Sequence, residues 1–311
     1  MIRLAQIVVG AGLLALLWHV ADGPAALRLL SGADPVWLIA AFLALGLQTV
    51  LSALRWRLTA APLGITLTAR KAIGEYYLAQ VVNQSLPGGM IGDAGRAVRA
   101  RGQAGLLASG QAVVFERLAG QIAMFVVMTA AFGITLALPG GVDWPAWLIA
   151  PVAVIVAVGL TLPLVLAAAT RMPGRVGAAV AGFWRALRLA LMSRWRVQVM
   201  LSLGTTLCNL AAFAFCARAV DAGLPLVAVL ALVPLILFTM LIPFTISGWG
   251  IREGAAAALF PIAGATASDG LATSIAFGLT FLVAVVPGVI PLLLRPEAQA
   301  MKPAADHHVD I

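Results

Sequence analysis

Seven stretches of this chain stay apolar for long enough to cross a lipid bilayer as an α-helix, which takes roughly 17–25 residues. They are Leu4–Val20, Pro35–Leu54, Leu118–Leu138, Ala146–Thr170, Val197–Val220, Leu224–Ile246 and Leu271–Leu294. Backbone N–H and C=O groups in lipid must find partners within the spanning structure, so long unbroken apolar runs dictate helices. Composition agrees: 62% of residues are hydrophobic and only 10% are charged, too few to cover a water-facing surface. The chain therefore reads as an all-α polytopic membrane protein with about seven full-length transmembrane helices. The first run follows Arg3 and precedes small residues, as a signal peptide would. Its basic region is meagre and a second apolar run follows closely, so it is expected to be kept as the first transmembrane helix.

The net charge of +8 rests on 18 arginines and two lysines, Lys71 and Lys302. These lie between apolar runs rather than on one soluble face, which argues against nucleic acid as a partner and for topogenic charge with affinity for anionic headgroups. Segment 55–71 carries Arg55, Arg57, Arg70 and Lys71. Segment 93–101 carries Arg96, Arg99 and Arg101 against Asp93, and 171–196 carries six arginines and no acid. The connections 21–34 and 139–145, with Asp22, Arg28, Asp34 and Asp143, are net negative. Positive-inside logic then puts the amino terminus and all three basic stretches in the cytoplasm. Within 174–195, Phe183, Trp184, Leu187 and Leu191 share one face between arginines, the pattern of an amphipathic helix on the cytoplasmic surface. Cys208 and Cys216 are about 12 Å apart along a helix, too far for a disulfide. Neither has partners at metal-ligand spacing, so no metal or cofactor is expected.

Two segments do not fit simple spans. Ala72–Leu86 is about 22 Å of helix, short of the ~30 Å core, and both its flanks are basic; a re-entrant hairpin satisfies both facts. Gly254–Gly264 is likewise only half a span. Each adjoins a Gly/Pro break: Asn83-Gln-Ser-Leu-Pro87-Gly88-Gly89-Met-Ile-Gly92-Asp93-Ala-Gly-Arg96 and Ile242-Pro243-Phe-Thr-Ile-Ser247-Gly248-Trp-Gly250-Ile-Arg252-Glu253. Such backbone is tolerated at membrane depth only when buried in protein or lining a wet cavity. Pro87 and Pro243 are 156 residues apart, half the chain, which suggests an inverted internal repeat with halves 1–140 and 145–294. The amides of a half-helix start attract anions, and Arg96 or Arg252 beside them could grip a phosphate. Asp93 and Glu253 could hold those arginines, carry protons or meet a cationic headgroup. Tyr76, Gln80 and Asn83 form one polar stripe, facing either a cavity or other helices. Glu116-Arg117 is either an interfacial anchor at a span starting at Leu118 or, if the helix begins earlier, a buried ionisable pair of functional weight. No nucleophile–base pair is visible, so catalysis by this chain is not expected.

Three passages resemble the lysylphosphatidylglycerol synthetase transmembrane-region family, also called flippase-like. Leu86-Pro87-Gly-Gly-Met-Ile-Gly-Asp93-Ala-Gly-Arg96 looks like the family's Pro-Gly-x-x-Gly-Asp-x-x-Arg signature. Glu116-Arg117-Leu-Ala-Gly120 is similar to its Glu-Arg-x-x-Gly element, and Pro243 to Glu253 resembles its late Pro-x-Ser-x-Gly-x-Gly-x-Arg-Glu motif. The resemblance implies a single transmembrane domain over 1–294, with 295–311 a polar cytoplasmic tail and without the synthetases' soluble domain. It further implies transbilayer movement of a lipid in the bacterial inner membrane: an anionic or aminoacylated phospholipid, a polyprenyl-phosphate or a hopanoid-type lipid. The alternative is a membrane-embedded accessory subunit of a lipid glycosyltransferase or lipid-biosynthetic enzyme. The candidate headgroup contacts are Asn83, Pro87, Gly88, Gly89, Asp93, Arg96, Glu116, Arg117, Pro243, Ser247, Gly248, Gly250, Arg252 and Glu253.

Overall fold

The computed structural model describes residues 2–85, 90–137, 142–241 and 247–289. Pro87, Gly88, Gly89, Pro243 and the expected tail lie outside the described residues. Those described form eleven α-helices joined by short turns, with no strand among them. They are α1 (Ile2–Val20), α2 (Gly23–Ser31), α3 (Pro35–Ala60), α4 (Ala69–Ser85), α5 (Ile91–Ala137) and α6 (Ala146–Ala169). The remainder are α7 (Gly174–Met192), α8 (Trp195–Ala219), α9 (Leu226–Phe238), α10 (Ile251–Leu259) and α11 (Ala267–Val285).

Among the described residues, five stretches are long and apolar enough to cross a membrane: Pro35–Leu63, Ile91–Ala137, Ala146–Ala169, Trp195–Ala219 and Ala267–Val289. A sixth arises if Ala11–Val20 and Gly23–Ser31, bent by 94°, count as one span. The difference from about seven lies partly at α9, whose 13 residues make about 20 Å of helix before a 3₁₀ turn at Thr239–Leu241. The short helices sit where the sequence puts them. α4 has 17 residues, and α10 has nine before a 3₁₀ turn that ends at Gly264, whose φ is 82°.

Helix starts follow local chemistry. Asp34 accepts from Val36 N–H at 2.8 Å with Pro35 in the first helical position. Thr266 and Asp269 cap α11 reciprocally, at 2.8 and 3.1 Å. α5 is interrupted at Gly105 (φ 81°, ψ 169°), and the helix restarts at residue 106, well before Leu118. Glu116-Arg117 is therefore not an anchor at a helix start; it lies about 15 Å into a helix.

α3 and α8 pack along each other antiparallel, pairing Thr59 with Gln198 and Arg55 with Thr205. An apolar core of Phe213, Val233, Ile236, Phe260 and Phe277 joins α8 to α11. Backbones touch at several places, two of which bear on the motifs. A Cβ on Gly92 would lie 2.0 Å from the Ala79 carbonyl oxygen, and one on Gly270 would lie 2.3 Å from that of Ala256. These contacts clamp α5 to α4 and α11 to α10. α6 is peripheral, with only 6% of its most apolar stretch buried. The amphipathic α7 lays its apolar face on α5, Phe183 meeting Phe115 edge-on at 5.1 Å, while Arg175, Arg185 and Arg188 stay exposed.

Candidate functional site

Five charged side chains form one chain, buried at every member but Arg117. Glu116 Oε1 accepts from Arg55 Nη2 at 2.7 Å and from Arg55 Nε at 3.2 Å. Its other oxygen accepts from Arg96 Nη2 at 2.8 Å. Arg96 Nε donates to Asp93 Oδ1 at 2.9 Å, and Asp93 Oδ2 pairs with Arg117 Nη2 at 2.7 Å. The order is Arg55–Glu116–Arg96–Asp93–Arg117. Three guanidiniums face two carboxylates, leaving one positive charge. Charges taken out of water persist only when paired and hydrogen-bonded, and further partners close this chain. Tyr76 OH donates to Glu116 at 3.2 Å, and Arg55 Nη1 donates to Thr205 Oγ1 at 2.7 Å. The Arg96 guanidinium lies between the rings of Tyr76 and Trp56, at 4.5 and 4.8 Å. Gly120 makes room for the Arg55 guanidinium, which a Cβ there would meet at 2.8 Å.

The second motif closes on itself. Ser247, Gly248 and Gly250 have φ of 51°, 81° and 88°, a left-handed turn that glycine enters without strain. It delivers the chain into α10, where Glu253 Oε2 accepts from Gly250 N–H at 2.6 Å. The other Glu253 oxygen takes Arg252 Nη2 at 2.5 Å and the Ser274 hydroxyl at 3.0 Å. Arg252 also donates from Nε to Ser274 Oγ at 2.9 Å and lies over the rings of Trp249 and Phe277, with Gly278 leaving it space.

Between the two motifs lies a cavity of about 460 Å³. Its polar wall comes from Gln48, Gln80, Asn83, Gln84, Asp93, Arg117, Gln121, Asn209 and Ser247, and its apolar wall includes Met124, Met240, Phe277 and Phe281. Asn83 ties the motifs together. Its Oδ1 accepts from Gly92 N–H at 2.8 Å, and its main-chain carbonyl accepts from Ser247 Oγ at 3.3 Å. A second hollow of about 730 Å³, by Arg57 and Arg194 between the ends of α3 and α7–α8, contains none of the motif residues.

Of the site residues expected from sequence, Asn83, Asp93, Arg117 and Ser247 line the cavity. Arg96 and Glu116 stand behind them at 0% exposure, while the Arg117 side chain keeps 38%. Gly248, Gly250, Arg252 and Glu253 are not lining residues. The expectation that Arg252 offers its guanidinium to a phosphate gives way to an arginine engaged by Glu253 and Ser274. One amide at each half-helix start is likewise taken from within, Gly92 N–H by Asn83 of α4 and Gly250 N–H by Glu253.

Sequence reasoning missed Arg55, taken for a loop charge because the span was ended at Leu54. The signal was a polar stripe: Gln48, Ser52, Arg55 and Thr59 recur at i, i+4, i+7 and i+11, and all are buried. Gln198, Ser202, Thr205 and Asn209 repeat that spacing on α8. Gln121 and Asn209 were also missed as cavity residues.

Helices of bilayer length around a polar, charge-paired cavity, flanked by interrupted helices, define an integral membrane protein of the all-α polytopic class. The family model described as the lysylphosphatidylglycerol synthase TM region matches residues 3–288, and the chain belongs to that family, whose function is tied to membrane lipids. No curated protein matches it.

Proposed function

We propose that this protein moves a lipid, or a lipid-linked headgroup, between the leaflets of the bacterial inner membrane, with its amino terminus in the cytoplasm. The observation that carries this reading is the polar cavity at the meeting point of the two interrupted-helix motifs. Unpaired polar surface inside a membrane protein is costly unless a hydrated or polar cargo uses it. The headgroup occupies the cavity while acyl chains stay in the bilayer. Arg117 and Asp93 meet the headgroup. Arg96, Glu116 and Arg55 act through them as positioning residues, holding the pair at a fixed place in the wall. Catalysis forms no part of this reading, and the cargo leaves chemically unchanged.

The test is reconstitution into vesicles carrying acyl-labelled phospholipid in both leaflets, with a membrane-impermeant quencher reporting exchange. Wild-type protein is expected to bring the inner-leaflet label within reach of the quencher. Arg117→Gln should slow this by about tenfold or more, the loss of one charge-assisted contact of ~1.5–3 kcal/mol. Arg57→Gln, in the other hollow, should leave the rate unchanged. Equal rates for wild type, Arg117→Gln and protein-free vesicles would refute the proposal.

A further inference from the structure

The polar part of the cavity wall is made mostly of carboxamides rather than charges, set beside a larger apolar part. Gln48, Gln80, Asn83, Gln84, Gln121 and Asn209 reach it from α3, α4, α5 and α8. Gln80, Gln84, Gln121 and Asn209 have no side-chain hydrogen bond among the described residues, and Asn83, 4% exposed, keeps its Nδ2 without a partner there. A carboxamide carries both donors and acceptors, so a cluster of them matches groups that also do both, above all hydroxyls.

Asp93 and Arg117 are the only charged residues lining the cavity among those described, and they are already paired. Both Asp93 oxygens are occupied, one by Arg96 and the other by Arg117. An ammonium group entering this cavity therefore meets only a carboxylate whose charge two arginines already offset. The ionic chain around it already carries one surplus positive charge. A single anionic group is drawn to that surplus, and of the three guanidiniums only that of Arg117, whose side chain is 38% exposed, is open to it. At about 460 Å³ the space falls within the roughly 300–1,000 Å³ of small-molecule sites, ample for a headgroup without its acyl chains.

Resting on the transport reading above, we infer that the substrate is a phospholipid with one phosphodiester and an uncharged, hydroxyl-rich headgroup such as glycerol or a sugar. The phosphate sits at Arg117 and the hydroxyls among the carboxamides. The cavity disfavours amine-bearing headgroups, aminoacylated phospholipids among them.

Native mass spectrometry of the purified, detergent-solubilised full chain tests this. The protein is offered an equimolar mixture of phosphatidylglycerol, phosphatidylethanolamine and lysylphosphatidylglycerol, with free glycerol 3-phosphate in a parallel sample. Phosphatidylglycerol adducts are expected to exceed either amine-bearing lipid by about tenfold or more, since a site built for hydroxyls penalises a mismatched group. The Gln121→Leu/Asn209→Leu protein should lose that preference. Gln121→Glu, which supplies a further carboxylate, should shift it toward lysylphosphatidylglycerol. Equal or greater retention of the amine-bearing lipids by wild type, or retention of no lipid, overturns the inference. An adduct with free glycerol 3-phosphate but none with phosphatidylglycerol overturns the lipid assignment. Binding and transport fail separately. Selective binding without exchange in vesicles sinks the transport reading alone, whereas exchange with amine-bearing lipids bound equally well sinks only the headgroup assignment.

Discussion

Glu116→Gln removes one charge from the centre of the buried ionic chain while keeping shape and volume. In the wild type Glu116 receives Arg55 on one oxygen and Arg96 on the other, with Tyr76 as a further donor, all within 2.7–3.2 Å. Glutamine keeps one acceptor oxygen and turns the other position into a donor aimed at a guanidinium. The surplus in the chain rises from one positive charge to two, and only Asp93 remains to balance three arginines. Removing one partner of a buried ion pair costs about 3–5 kcal/mol. At roughly 2–4 °C per kcal/mol for domains somewhat smaller than this one, the midpoint should fall by about 6–20 °C. Thermal unfolding in detergent, followed by tryptophan emission, reads this directly, because Trp56 stacks 4.8 Å from the Arg96 guanidinium. The double variant Arg55→Met/Glu116→Leu restores the surplus to one charge and should unfold above Glu116→Gln. A Glu116→Gln midpoint within about 2 °C of wild type, less than ~1 kcal/mol, would refute the account. So would a double variant less stable than the two single losses combined.

The remaining predictions concern packing and orientation. Gly92→Ala and Gly270→Ala each place a methyl 2.0–2.3 Å from a backbone carbonyl oxygen, so a helix must move. Each should cost at least the ~1–3 kcal/mol of an overpacked core, seen as a lower unfolding midpoint, whereas Gly102→Ala, with open space around it, should not. In a background with Cys208 and Cys216 replaced by alanine, single cysteines at the exposed positions Arg188 and Asp143 should react with an impermeant thiol reagent from opposite sides of the membrane. Labelling of both from one side would overturn the assigned orientation.

The membrane class was legible because lipid permits so few solutions: an apolar run of bilayer length has one conformation open to it. The breaks were legible too, since proline and glycine act locally and Ser247, Gly248 and Gly250 do adopt positive φ. Partnership was not. Arg96 comes three residues after Asp93 and Arg252 one residue before Glu253, yet neither lines the cavity, because each is closed off by groups distant in sequence: Glu116 and two aromatic rings for the first, Ser274 for the second. Arg55 was hidden for the opposite reason. Counted as a cytoplasmic charge beyond the end of a span, it sits on a helix that runs to Ala60 and reaches Glu116 across 61 residues of sequence. Hydropathy alone places a span's end where charge begins. A charge with a buried partner lets the helix continue past it.

Two arginines sit directly above a glycine of a neighbouring helix, Arg55 over Gly120 and Arg252 over Gly278. Each seat is one residue wide. Sliding α3 along α5 would carry the guanidinium off this gap toward the side chains one turn away on the same face, Glu116 or Met124, and α10 sliding on α11 would meet Ser274 or Leu282 in the same way. The seats therefore act as detents against gliding. If the protein moves lipid as proposed, the change of shape must turn these helix pairs as units rather than slide one member past the other, and a tether between the members of a pair should leave exchange intact.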